Sequence, residues 1–455
     1  MHGAPRAARK LAGSASIASR LIGQSKVAYL PPAKLAERRD RNVRSIVRYA
    51  AATVPFYRDW FRTHGVDPRE IVGAADLARL PIIDKATLQP DQQRLVSESR
   101  EARAAFAIQT SGSSGVPVTI YQGSGILFEN AATGVRERQV PAEALGPDVP
   151  ARIVSVGYPG NATQTVRAQL RERAFVTGSE TRHTLSLFEP LEQLIAEINR
   201  LRPTLLIAYG SLIELLFGTV KARGLELHAP RAVLYVSDHL TEIGRRVEED
   251  DFGVKVLSNY SAVEALRIGF GCLESPGYHL HSDLTHVRIV DDAGNNAPAG
   301  QTGEIVISNL VNRGTVLLNY RLGDQGSLAA EPGCGCGCGR TLPRLATLEG
   351  RRDDVIELAS GRHVHSAEIW SLVRSNPELI QYQLVQLTHE RFELRVVATD
   401  EAMFDRVATN LLERLRPLLG SAEVTSTYVD AFEPYGSMKR RQVVSYVTRP
   451  DQPRL

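Results

Sequence analysis

Residues 204–224, TLLIAYGSLIELLFGTVKARG, decide the fold class. TLLIAYG is a short apolar run of strand character, and IELLFGTVKARG after it has the spacing of an amphipathic helix. The same alternation fills 150–260. RIVSVG, AVLYVS and VKVLSNY are further apolar runs, and PLEQLIAEINRL and IGRRVEEDDF are further helical stretches. Strands alternating with helices predict an α/β region with a largely parallel sheet.

Towards the N-terminus, Val43, Ile46, Val47 and Tyr49 recur at near-helical spacing in residues 41–64, with Pro55 breaking the helix and a second starting near Phe56. Residues 77–93 read as connecting loop and short helix, and 106–121, FAIQTSGSSGVPVTIY, as strand, glycine–serine loop, strand. After Ser275 the texture changes. HVRIVDDAGN, GEIVISNL and TVLLNYRLGD are strands parted by Asp, Asn and Gly turns, which predicts a small antiparallel or β-barrel-like unit. Past the glycine-rich EPGCGCGCGR and LEGRRDDVIEL, the order helix, strand, strand, helix, strand marks a compact α+β unit of about 100 residues. The boundary is set near Gly350–Asp354, giving an N-terminal region of 1–349 and a C-terminal one of 350–455.

A chain of 455 residues fits two or three folded units. A net charge of +3, from 54 basic and 51 acidic residues, gives no basic surface for nucleic acid or membrane. Only seven basic residues are lysine, so 47 are arginine, which points first to coding bias. The start is basic, with Arg6, Arg9, Lys10 and Arg20 and no acid before Glu37; it reads as a first helix or flexible segment, with a transit peptide as the alternative. Four cysteines make no disulfide framework, and Cys334, Cys336 and Cys338 stand too close for mutual bridges. Reduced thiols and a cytoplasmic protein are expected.

Thr110-Ser111-Gly112-Ser113-Ser114-Gly115-Val116-Pro117 sets four hydroxyls and two glycines between strands. Glycine lets backbone N–H groups converge on an anion, and hydroxyls add donors to phosphate oxygens. No Gly-Lys-Ser/Thr follows, so this is not a Walker A loop. Four further motifs follow in order: Tyr260-Ser-Ala-Val-Glu264, Tyr320-Arg-Leu-Gly-Asp324, Gly350-Arg-Arg-Asp-Asp354 and Gly436-Ser-Met-Lys439-Arg-Arg441. Their order and spacing resemble the adenylate-forming superfamily of acyl-CoA synthetases and adenylation domains. VPFYRDWFRTHGVDP…LARLPIIDKATL and the Cys-Gly-Cys-Gly-Arg run resemble its phenylacetate–CoA ligase branch.

The resemblance implies a two-step reaction: a carboxylate attacks the α-phosphate of ATP, and a thiol, usually of coenzyme A, then displaces AMP. It assigns Thr110 to Gly115 to the triphosphate, Tyr260 to the adenine, Glu264 to Mg²⁺, Asp324 with Arg351 nearby to the ribose, and Lys439 to the reacting oxygens. A bidentate carboxylate suits a vicinal diol, Mg²⁺ prefers oxygen ligands, and an ammonium suits developing negative charge. The family's domain hinge falls on Asp353 or Asp354. One departure stands out: the family writes Ser/Thr-Gly-Lys where this chain has Ser437-Met438-Lys439.

Cys-x-Cys on a glycine-rich turn can offer two thiolates to one metal, and Zn²⁺ favours four tetrahedral N/S ligands. The resemblance implies a structural zinc on Cys272, His279, Cys336 and Cys338, with Cys334 or His281 as substitutes. His239 reads as a loop or core histidine. The acid pocket is expected between the phosphate loop and Tyr260, with Tyr158, Tyr209, Gly210 and Ser258 as liners. The expected substrate is a small carboxylic acid, aromatic or related, with CoA as acceptor. An amine or carrier-protein thiol is the alternative acceptor, and a non-catalytic nucleotide-binding protein the remote one. A homodimer is what the resemblance suggests, and the C-terminal region would be a mobile lid.

Overall fold

The computed structural model describes residues 6–88, 92–110, 118–175, 181–238, 240–330, 336–351, 355–373, 376, 378–379, 381–398, 400–429 and 442–447. They fall into two compact units: one of 1–150, 158–181 and 257–348, the other of 151–157, 182–256 and 349–455. The chain is mixed α/β, as its alternation predicts.

In the second unit the apolar runs become the strands Arg152–Gly157, Leu205–Tyr209 and Ala232–Val236, paired in parallel in that order. The Leu191–Leu201 and Gly210–Arg223 helices cover them, and Val154, Leu206, Ile213, Phe217 and Val233 form a shared core. Asp238 accepts from the amide of Gly210 at 2.5 Å and of Ser211 at 3.3 Å, and so caps the start of the second helix. IGRRVEEDDF is α-helical over Glu242–Arg246 and widens to a π-turn over Val247–Asp251. A strand at Thr181–Ser186 was not anticipated; its TRHTLS sequence is too polar to signal one.

Within residues 349–455 a separate core gathers Ile369, Leu384, Phe392, Leu394, Leu411 and Leu415. The strand order there is Glu423–Val429, Arg391–Val397, Gln381–Thr388, Val443–Ser445. The middle pair is antiparallel and both outer strands run parallel to their neighbours. The Ser366–Val373 and Glu401–Leu419 helices complete this α+β arrangement.

The first unit opens with the helix Arg6–Leu21. Gly13 is buried there because any Cβ would stand 2.0 Å from the Arg173 carbonyl oxygen. The helix read at 41–64 starts earlier, at Pro32, and ends at Thr53; Pro55 then occupies the first turn of Pro55–His64, where a missing N–H costs nothing. Thr285–Val290, Gly303–Asn309 and Tyr320–Leu328 form the anticipated antiparallel array, but it continues through Arg344–Arg351, Tyr278–Leu280 and Gly269–Phe270 as one sheet, so it is not the separate small β-barrel-like unit expected. The strands Lys255–Tyr260, Gly269–Phe270 and Tyr278–Leu280 also pair antiparallel, and His279 stands opposite Arg344 of the Arg344–Arg351 strand. Ile46, Tyr57, Leu77, Ile305, Leu317 and Leu345 belong to the large core between these strands and the N-terminal helices.

Arg136 and Asp283 are both fully buried in this unit. Arg136 makes a bidentate pair with Asp283 at 2.8 and 2.9 Å, while Arg38 and the Asn42 amide donate to the same aspartate residue. Burial would raise the Asp283 carboxyl, but Arg136 and Arg38 outweigh it and hold it at about 2. Among the described residues no helix is long and apolar enough to cross a membrane.

Candidate active site and metal centre

Phe106–Gln109 and Thr119–Gln122 form an antiparallel hairpin, Phe106 opposite Gln122 and Gln109 opposite Thr119. Thr110 closes its neck: its amide donates to the Val118 carbonyl at 2.9 Å, and its hydroxyl oxygen accepts from the Val118 amide at 3.0 Å. Ser111, Gly112, Ser113, Ser114 and Gly115 lie outside the described residues.

The hairpin is tied to the turn carrying Glu264 by buried amide side chains. Gln122 donates to the Val263 carbonyl at 2.6 Å, and Asn309 to the Glu264 carbonyl at 2.9 Å. Asn312 donates to the carbonyls of Tyr121 and Thr315 and accepts from the Gly123 amide. On the apolar side Phe106 and Ile108 pack with Leu127, Val263 and Leu266. Leu266 takes the left-handed φ of 63° that a non-glycine residue rarely adopts, so the turn is held by its surroundings. Gln122, Asn309 and Asn312 were missed in the sequence. The signal is visible in retrospect: amide residues that end otherwise apolar strands, in TIYQ and ISNLVN.

Tyr260 and Asp324, from two different motifs, meet. The Tyr260 hydroxyl donates to Asp324 Oδ2 at 2.7 Å. Opposite Gly303–Asn309, the Tyr320–Leu328 strand carries two extra residues between Arg321 and Gln325, with Gly323 at φ 81°. That bulge re-aims the segment at Asp324. Glu264 is half-buried in the 261–266 turn. The Arg351 backbone ends the Arg344–Arg351 strand, and its side chain lies outside the description, as do Asp353, Asp354, His239 and Lys439.

The cysteine cluster sits in the first unit. One ligand atom each of Cys272, His279, Cys336 and Cys338 lies within 4.8 Å of all the others. Cys272 Sγ is 3.3 Å from Cys336 Sγ, Cys336 Sγ is 3.1 Å from Cys338 Sγ, and His279 Nε2 is 3.3 Å from Cys338 Sγ. These separations exceed the ~2.05 Å of a disulfide. Buried His279 is pushed down to about 4 by burial and by Arg340 and Arg344, so its imidazole is neutral and able to act as a ligand. Burial pushes the Cys336 thiol up to about 12. Three sulfurs and one nitrogen, with no carboxylate among them, are the donor set of a closed tetrahedral zinc site. The alternative ligand His281 is placed elsewhere: its Nε2 contacts Glu137 Oε1 at 2.9 Å, and Glu137 also pairs with Arg267. Cys334 lies outside the described residues.

No family profile matches the chain. A phenylacetate–coenzyme A ligase of Thermus thermophilus is 27% identical over 411 residues, 86% of this chain and 87% of that one. A second, from Aromatoleum evansii, is 22% identical over 353 residues, 75% of this chain and 76% of the other. A crystal structure of 2-hydroxyisobutyryl-CoA ligase with an acyl-AMP superposes with a TM-score of 0.73 at 18% identity, covering 92% and 91% of the two chains. The fold is thus that of an adenylate-forming ligase. In sequence the chain is a relative of the phenylacetate–coenzyme A ligases.

Proposed function

We propose that the protein activates a small carboxylic acid with ATP and transfers the acyl group to coenzyme A. The observation that carries this reading is the Tyr260–Asp324 hydrogen bond of 2.7 Å, which joins the adenine-side and ribose-side motifs at a bulge built for the aspartate. The likeness to the Thermus ligase over 86% of the chain supports the same chemistry.

In the first step a carboxylate oxygen attacks the α-phosphorus, the bridging bond to the β-phosphate breaks, and pyrophosphate leaves. In the second a thiol sulfur attacks the acyl carbon and AMP leaves. Tyr260 fixes the orientation of the Asp324 carboxylate, which accepts from the two ribose hydroxyls. Thr110 to Gly115 hold the phosphates, with Arg351 near the ribose. Mg²⁺ on Glu264 would offset phosphate charge. Lys439 would meet the negative charge that develops in the first step. Residues 350–455 act as a lid on a core of 1–349, and their own apolar cluster supports that boundary. The Cys272, His279, Cys336 and Cys338 set would hold a structural zinc, and unoxidised thiols accord with a cytoplasmic setting. The acid is aromatic or closely related, and the assembly a homodimer.

Hydroxylamine trapping tests the sequence of steps. Acyl hydroxamate formed from ATP and an acid, and diverted to a thioester when CoA is added, is the expected result. Hydroxamate undiminished by CoA assigns the acyl group to an amine or carrier-protein thiol instead. No hydroxamate with any acid, alongside retained nucleotide binding, contradicts the ligase reading.

A further inference from the structure

Three thiolates and a neutral imidazole around a divalent cation sum to one negative charge. The centre is half-buried, with His279 buried and the three cysteines partly so, and a cation close by offsets a charge withdrawn from water. Arg340 follows Cys338 by two residues and is 2% exposed. Its guanidinium lies 5.9 Å from the Phe270 ring centroid, and that ring lies 5.8 Å from the His279 ring. Its Nη2 donates to Glu143 Oε1 at 2.6 Å, but the Glu143 side chain is 44% exposed, so solvent screens much of that charge. Its Nε is buried with no hydrogen-bond partner among the described residues. Arg344, the other nearby guanidinium, donates at 2.5 Å to Ser275 Oγ and to the Pro276 carbonyl, bracing the segment between Cys272 and His279.

We propose that Arg340 is the counter-charge of the Cys272–His279–Cys336–Cys338 centre, a positioning residue that sets how tightly the metal is held. The inference rests on the reading that this cluster binds zinc. Glycine at 339, with φ 74°, turns the backbone between Cys338 and Arg340.

Zinc content and competition with a chromogenic chelator test this on the full-length protein. Wild type is expected to carry one zinc, Arg340→Gln to hold it about 10–100-fold more weakly, and Arg340→Lys to stay within about threefold of wild type. Glu143→Gln, which neutralises the guanidinium's carboxylate partner and leaves the guanidinium charge in place, should leave zinc affinity unchanged. Zinc in the wild type with equal affinity in Arg340→Gln overturns the proposal. If Arg340→Gln does not fold, Arg340→Lys decides: a loss well beyond threefold shows that packing, not charge, is what Arg340 supplies. A wild type without zinc defeats the metal reading itself, which is a separate outcome.

Discussion

Tyr260 and Asp324 are the residues whose sequence roles gain most from the structure, because a hydroxyl-to-carboxylate bond of 2.7 Å joins them. Tyr260→Phe keeps the ring and loses that bond. The KM for ATP should rise roughly fivefold, about 1 kcal/mol, with kcat little changed. If Asp324 accepts from the ribose as proposed, Asp324→Asn removes that charged acceptor, and the same KM should rise roughly 10–100-fold. Lys439→Ala should lower kcat of the adenylation half-reaction by about 10²–10³-fold while AMP binding persists, which isothermal titration can check. Thr110 shows what one sequence leaves open. Its hydroxyl was read as a phosphate donor, and it also accepts the Val118 amide that closes the hairpin. The partners of Asp283 were equally hidden, since Arg38 and Arg136 are far from it in the chain. Asp283→Asn should cost about 3–5 kcal/mol in denaturant unfolding, because it leaves buried Arg136 without its counter-charge. Its carboxyl is lowered on folding, so its contribution is present above about 3.8 and is lost as pH falls through about 2.

Among the elements, those with clear periodicity were legible and those shaped by tertiary contact were not. The apolar runs of 150–260 and the hairpin around the Ser/Gly loop stand where the pattern put them, because strand residues with one buried identity leave a plain trace. The bulge at Asp324 and the left-handed Leu266 leave none, since both answer to neighbours rather than to local sequence. Gly277, with φ 92°, precedes the Tyr278–Leu280 strand, and a Cβ there would stand 2.3 Å from the Leu345 carbonyl oxygen. Gly277→Ala should therefore destabilise the protein by about 2–3 kcal/mol and disturb the strand that carries His279, as thermal unfolding and zinc content would both report. In the π-turn, Glu248 is fully buried and neither carboxylate oxygen has a hydrogen-bond partner among the described residues. Burial, with Glu214 adding to it, raises its carboxyl from 4.5 to about 9. The folded state then keeps a proton that the unfolded chain gives up, so stability falls as pH rises from about 4.5 to 9. Glu248→Gln should flatten that slope and be the more stable protein at pH 8.

For the molecule as a whole, composition gave the class and the ordered motifs gave the chemistry. A net charge of +3 suits an enzyme that meets phosphate through a local loop rather than a basic surface. The count of two or three folded units was legible. The interleaving of 151–157 and 182–256 with 349–455 in one compact unit was not, because units built from distant segments leave no linker in the sequence. The cysteines converge from two segments in the grouping that the resemblance implied, while the buried Arg340 that follows them was not foreseen. The central claim is adenylate formation on a carboxylic acid, and pyrophosphate exchange into ATP across a panel of aromatic and aliphatic acids measures it directly. The account predicts exchange that depends on one class of acid and on Mg²⁺, and that Lys439→Ala slows by about 10²–10³-fold. Nucleotide binding without exchange for any acid would contradict it.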